Sequence, residues 1–253
     1  MNTIKFLLVS LLVSALVVLV ANLSGVKFAT LVGNLLYVPI AGTFVVVTVW
    51  VFSRFGLGGT YGKAWLFFVI FAILWFVANM IWAFYELVLE TDPYPSIADA
   101  FWLAGYPFIF IFLGLYLKPF RKSISKKIIT ISIIIPLILV GVTLFVTLEA
   151  EKENQFFLFL LTASYPILDA LILVPSIIGI TLFLKGEINL LWSLISIGTL
   201  SVALADIGFF VTQYNFTYYT GHPIEIFFYW SFIFYIFGVY AHLKIFRVQE
   251  KKD

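Results

Sequence analysis

Apolar residues in this chain neither alternate as in a half-buried strand nor recur as the stripe of a surface helix; they run. Eight stretches stay apolar for about the length a bilayer crossing needs, roughly 20 residues. They lie at about 4–23, 32–53, 64–89, 96–117, 128–148, 156–184, 189–214 and 223–246. Short polar connectors separate them. The pattern predicts an all-α integral membrane protein with eight transmembrane helices, the sixth interrupted by Pro166 and Pro175.

Composition supports this and narrows it. The 253 residues are 63% hydrophobic and only 11% charged, with mean hydropathy +1.10, too little polar surface for a soluble domain of this length. No hydrophilic block is large enough for a separate domain, so 1–253 form a single membrane domain. Cys is absent, which excludes disulfides, Cys-ligated metal and thiol nucleophiles.

Charge then orients the chain. With the N-terminus inside, the inner connectors and tails hold Lys5, Arg54, Lys63, Lys118, Arg121, Lys122, Lys126, Lys127, Lys185, Lys244, Arg247, Lys251 and Lys252, leaving only Lys27 and Lys152 outside. Basic residues collect on the cytoplasmic side, so the expected location is the cell membrane with both termini cytoplasmic. The outer loops are acidic: Glu90, Asp92, Glu149, Glu151 and Glu153. The basic cluster Arg121–Lys127 (RKSISKK) suits either anionic lipid head groups or a cytoplasmic signalling partner.

A repeat lies within the apolar pattern. Displacing the chain so that Pro39 falls on Pro166 also brings Trp65 onto Trp192, Asn79 onto Asp206 and Glu86 onto Gln213. Small gaps then pair Asp99 with Glu225, Gly114 with Gly238 and Tyr116 with Tyr240. Residues 1–122 and 123–253 are thus expected to be two four-helix repeats. An even number of spans in each makes them parallel. The first span resembles a signal peptide, with Lys5 ahead of an apolar run, but it matches the fifth span and is expected to stay in the mature protein.

Polar groups inside spans cost about 2.5–3.5 kcal/mol at the bilayer centre on insertion scales and so point to function. Trp75, Asn79, Trp82 and Glu86 share one face of the third span, and Asp206, Phe209 and Gln213 repeat that face in the seventh. Asp99, Trp102 and Tyr106 share a face of the fourth span, as Glu225, Phe228 and Phe232 do in the eighth. Helical rise places Asn79 and Asp206 in the outer third of the bilayer, with Glu86, Asp99, Gln213 and Glu225 near its outer boundary. Together they are expected to line one outward-facing cleft between the repeats.

Each has a plainer reading. Ser96 and Asp99 have the spacing of a capping box, and His222, Pro223 and Glu225 suit a helix start. Asn79 and Asp206 suit interhelical hydrogen bonds in a packed core. Asp169 counts ~20 Å below the outer face, too deep to join the outer cluster; it is either a buried structural partner or a proton or cation site. The 29 Phe and 13 Tyr fit lipid contact and interfacial belts.

Other chemistries are excluded or unsupported. No Lys lies mid-span for a Schiff base, and His222 and His242 fall on opposite membrane faces, so no metal site is expected. No cofactor motif appears; GLGGTYG (Gly56–Gly62) is an inner loop with no preceding strand. Asn215-Phe-Thr217 is a glycosylation tripeptide of the kind chance often supplies. The basic residues are dispersed, which excludes nucleic-acid binding.

The motifs YPSIADAFWLAGYP, SYPILDALIL and LADIGFF, in this order, resemble the multi-pass membrane sensory module that precedes GGDEF diguanylate cyclase or histidine kinase output domains in bacteria. The matching positions are Pro95, Ser96, Ala98 and Asp99; Tyr165, Pro166 and Asp169; and Ala205 and Asp206. Glu225 stands where the pattern has Asp, and a short basic tail stands where an output domain would follow. The resemblance implies a receptor-like protein that binds a small molecule or lipid and signals through a separate partner. A small secondary transporter driven by intramembrane carboxylates is the alternative reading, and a lipid-acting enzyme the third.

Overall fold

The computed structural model describes residues 3–150, 156–183 and 189–249. Glu151, Lys152, Glu153, Lys185, Lys251 and Lys252, which contribute to the charge asymmetry, lie outside them. The described chain is all-helical. Its long helices are α1 (Thr3–Leu23), α2 (Val26–Phe55), α3 (Gly59–Leu87), α4 (Ile97–Leu117), α5 (Lys126–Ala150), α6 (Phe156–Phe183), α7 (Asn189–Tyr214) and α8 (Glu225–Gln249), with a short 3-10 helix at Lys118–Ser123. All eight are long and apolar enough to cross a membrane, the architecture of a multi-pass membrane protein.

Two boundaries differ from the hydropathy pattern for physical reasons. α2 begins directly after the Ser24-Gly25 turn, because Gly25 supplies the positive φ (+96°) that reverses the chain. α6 is continuous through Pro166 and Pro175 rather than interrupted. In lipid a broken segment exposes backbone groups that nothing solvates, so proline is absorbed within the helix.

α3 packs on α4 and α7 on α8; α2 lies against α3 and α8, and α6 against α7 and α4. α1 and α5 are peripheral. Only Leu7, Ser14, Val18 and Ala21 of α1 are buried, and α5 exposes Ile129, Ile133, Ile134, Leu137 and Ile138 to its surroundings. Those faces suit acyl chains.

The aromatics are drawn inward more than the belt expectation allowed. Phe44, Phe68, Phe71, Phe112 and Tyr235 are fully buried and meet at centroid distances of 4.3 Å to 6.1 Å, edge-on or tilted except for the stacked pair Phe44–Tyr235. Lipid is as apolar as a side chain, so helices in it associate through shape and packing rather than by escaping water. Flat rings against glycines supply that packing. A Cβ on Gly179 would fall 1.9 Å from the Trp192 ring, and one on Gly105 2.5 Å from Trp75 Nε1.

Candidate ligand cavity

The start of α4 is built by its own sequence. Ser96 Oγ accepts from the Ala98 N–H (3.2 Å), and Asp99 Oδ2 accepts from the Ser96 N–H (2.8 Å), closing a capping box. That uses one oxygen of Asp99. The other, Oδ1, accepts from the Tyr165 hydroxyl at 2.6 Å. Asp99 is therefore both cap and cavity wall. One and two turns further, Trp102 and Tyr106 line the same space.

α8 mirrors this with a difference. The Ile224 N–H donates to His222 Nδ1 (3.2 Å), so the imidazole serves the helix start. Glu225 is freed for other work. Its Oε2 accepts from Tyr37 (2.7 Å) and its Oε1 from Tyr218 (2.5 Å). Phe228 and Phe232 continue its face into the cavity. α3 contributes Trp75, Asn79 and Trp82, and α7 contributes Asp206 and Phe209. The space between these side chains, counted together with the open solvent at its mouth, amounts to about 650 Å³.

Loops roof it. Trp82 Nε1 donates to Thr220 Oγ1 (2.8 Å), while Asn22 Nδ2 donates to the Gly221 carbonyl (2.8 Å) and pins the same loop to α1. Gly221 sits at φ +85°, and a Cβ on the facing Gly33 would lie 2.7 Å from its nitrogen, so two glycines allow that close approach. On the other side Tyr94 bonds Thr162 through its hydroxyl (2.7 Å). Burial pushes the Tyr94 hydroxyl up to about 12, and burial with the neighbouring Glu225 pushes Tyr218 well above its usual range. Both hydroxyls stay protonated at physiological pH.

Of the residues nominated by sequence, Trp75, Asn79, Trp82, Asp99, Trp102, Tyr106, Asp206 and Glu225 come together around one space. Glu86 and Gln213 do not. Glu86 is one turn nearer the end of α3, where Asn34 Nδ2 on α2 donates to its Oε2 at 2.6 Å. Gln213 is half-buried next to the last residue of α7 and outside the lining, to which Phe209, one turn earlier, belongs. Among the described residues Asn79 makes no bond to another helix through its amide nitrogen; Nδ2 donates to the Trp75 carbonyl of its own α3 (2.6 Å).

Asp169 joins the cluster that its depth count placed out of reach. The Tyr106 hydroxyl lies 2.9 Å from Asp169 Oδ1 and 3.1 Å from Asp206 Oδ2. Depth was counted from the first residue of α6, but its 28 residues rise roughly 42 Å, well beyond a ~30 Å hydrocarbon core. The first residue of the helix is therefore a poor marker of the bilayer edge, and the Tyr106 hydroxyl links Asp169 to Asp206.

Tyr37 and Tyr218 escaped the sequence reading altogether. Tyr37 precedes Pro39 as Tyr165 precedes Pro166, a signal blurred by one inserted residue; Tyr218 sits in a loop with no period. Among the described residues the lining contains no Ser, Thr, Cys, His or Lys; its ionisable groups are Asp99, Asp206, Glu225 and the tyrosines. No protein-family model, curated protein or solved structure matches this chain.

Proposed function

We propose that this chain is a receptor-like membrane protein that binds a small molecule or lipid in the cavity between two four-helix halves and passes the change to a separate partner. The observation that carries this is the cavity itself: α2, α3 and α4 meet α6, α7 and α8 around it. Parallel repeats explain the arrangement. α2 against α8 corresponds to α4 against α6, and Tyr37 on Glu225 corresponds to Tyr165 on Asp99. Trp65 and Trp192 are both fully buried, and neither indole N–H has a partner among the described residues.

In this reading both termini are cytoplasmic, the cavity opens outward, and Arg121–Lys127 meets lipid head groups or the partner. The likeness to sensory modules of cyclases and kinases belongs to the same proposal. Ligand binding would shift one half against the other, because the walls are contributed by both.

The test is a stability screen of the purified chain in lipid nanodiscs against cationic, anionic and neutral solutes and membrane lipids. A ligand at a hundred times its Kd adds about 2.7 kcal/mol. At least one class is expected to raise Tm in the native chain and to fail with Asp99→Asn. No stabilisation by any class, or an unchanged response in the variant, overturns the reading.

One observation favours the transporter alternative. Asp169 and Asp206 share the Tyr106 hydroxyl, and the buried Asp169 Oδ2 has no hydrogen-bond partner among the described residues. A proton or cation would complete that group. Proton-coupled uptake in vesicles, lost on Asp169→Asn and kept on Asp99→Asn, would establish it.

A further inference from the structure

We infer that the group the cavity receives is an organic ammonium cation, seated among aromatic faces and held by Asp99, Asp206 and Glu225. This rests on the cavity being a ligand site, as proposed above, and names the ligand's chemical class.

Charge points to this class first. Three carboxyl groups line the cavity, and among the described residues no Lys, Arg or His does. A buried carboxylate without a countercharge is costly. The hydroxyls that approach these acids come from tyrosines: Tyr165 to Asp99, Tyr37 and Tyr218 to Glu225, and Tyr106 to Asp206. Tyrosine fixes each carboxyl in place but brings no positive charge.

The balance of donors and acceptors points the same way. The four tyrosine hydroxyls are already committed. So are the indole N–H of Trp75, to the Trp102 carbonyl, and that of Trp82, to Thr220. One N–H of Asn79 Nδ2 is committed to its own helix, which leaves the second as a single amide donor. What remains is that one amide N–H against the lone pairs of three carboxyl groups and the ring faces. An anion would meet a single donor and three carboxyl groups. A cation meets what it needs.

The walls complete the site. Trp82 and Trp102 lie 5.3 Å apart at a tilt, with Phe209 edge-on to Trp82 at 6.3 Å and Tyr218 edge-on to Phe209 at 4.5 Å. Opposite, Trp75 meets Phe232 at 5.9 Å. Ring faces attract an ammonium group within about 6 Å, most strongly when water is excluded. A primary amine would donate to the carboxyls as well; a quaternary one would rest on the rings. The same head can come from a free amine or from a choline or ethanolamine lipid.

The experiment uses the full chain in phosphatidylglycerol nanodiscs. Choline is compared with its neutral carbon isostere 3,3-dimethylbutan-1-ol, and phenethylamine with 2-phenylethanol, by Tm and tryptophan fluorescence. A further arm dopes phosphatidylcholine or phosphatidylethanolamine into the discs. At least one cation, free or lipid-borne, is expected to bind. A free cation should bind about tenfold or more tightly than its neutral isostere, and Glu225→Gln should weaken it by a similar factor. A response to free cations only assigns a soluble amine; a response to doped lipid only assigns a head group. Equal binding of cation and isostere overturns the inference. So does stabilisation by neutral or anionic solutes alone, which leaves the cavity reading standing; no response to any solute class overturns both. The isostere comparison uses the native chain, so it holds even where Glu225→Gln fails to fold.

Discussion

Asp99 gives one oxygen to the Ser96 N–H and the other to the Tyr165 hydroxyl, so its two roles separate by mutation. Tyr165→Phe removes the cavity-side bond and is expected to cost about 0.5–1.5 kcal/mol. Asp99→Ala also removes half of the capping box and should cost more, about 1–3 kcal/mol in all. Thermal unfolding in nanodiscs checks the order; equal losses would mean that the cap contributes nothing. His222 gives a pH test. Burial lowers its pKa below 6.5, so the unfolded chain takes up the proton first and stability falls as pH drops through about 6.5. That fall should be smaller in His222→Asn, which has no group titrating there. An identical pH profile in the two proteins would mean that His222 contributes nothing to it.

At the scale of the element, glycines distinguish helices held by close packing from those facing their surroundings. Gly179 of α6 carries the Trp192 ring directly against its backbone, whereas Gly141 of α5 has nothing within 4 Å of a built Cβ. Gly179→Ala is expected to destabilise by about 1–3 kcal/mol through overpacking. Gly141→Ala should be neutral or mildly stabilising, since alanine favours the helix. The two variants unfolding at the same temperature would contradict this packing. The helices were legible as elements because an unbroken run of roughly 20 apolar residues matches the thickness of a bilayer. Which face of α5 or α6 turns inward was not. Core and lipid are both apolar, so the stripe that betrays a buried face in a water-soluble helix is missing here.

For the whole molecule, sidedness is the first quantity to measure. The chain has no cysteine, so introduced ones report without background. Thr91, between α3 and α4, and Ser125, before α5, are both exposed. In intact cells a membrane-impermeant maleimide is expected to label Thr91→Cys, and to label Ser125→Cys only after permeabilisation. The reverse pattern would invert the orientation and turn the cavity toward the cytoplasm. The bonds between the halves belong to this scale too. Tyr37→Phe and Tyr165→Phe each cut one, and the double variant is expected to loosen the halves and weaken ligand stabilisation more than either alone.

Hydropathy, basic residues and helical spacing were enough to determine eight apolar helices, an expected orientation, and four polar faces carrying Trp75, Asn79, Trp82, Asp99, Trp102, Tyr106, Asp206 and Glu225. Those features are local: they depend on run length and on residues within a few turns. Tertiary structure decided what the faces meet. It placed Tyr37 on Glu225 across the molecule and brought Asp169 to Asp206 through Tyr106. It also drew Glu86 away to Asn34. Each depends on helix tilt, on ring length and on glycines that let backbones approach, and spacing along one helix encodes none of these.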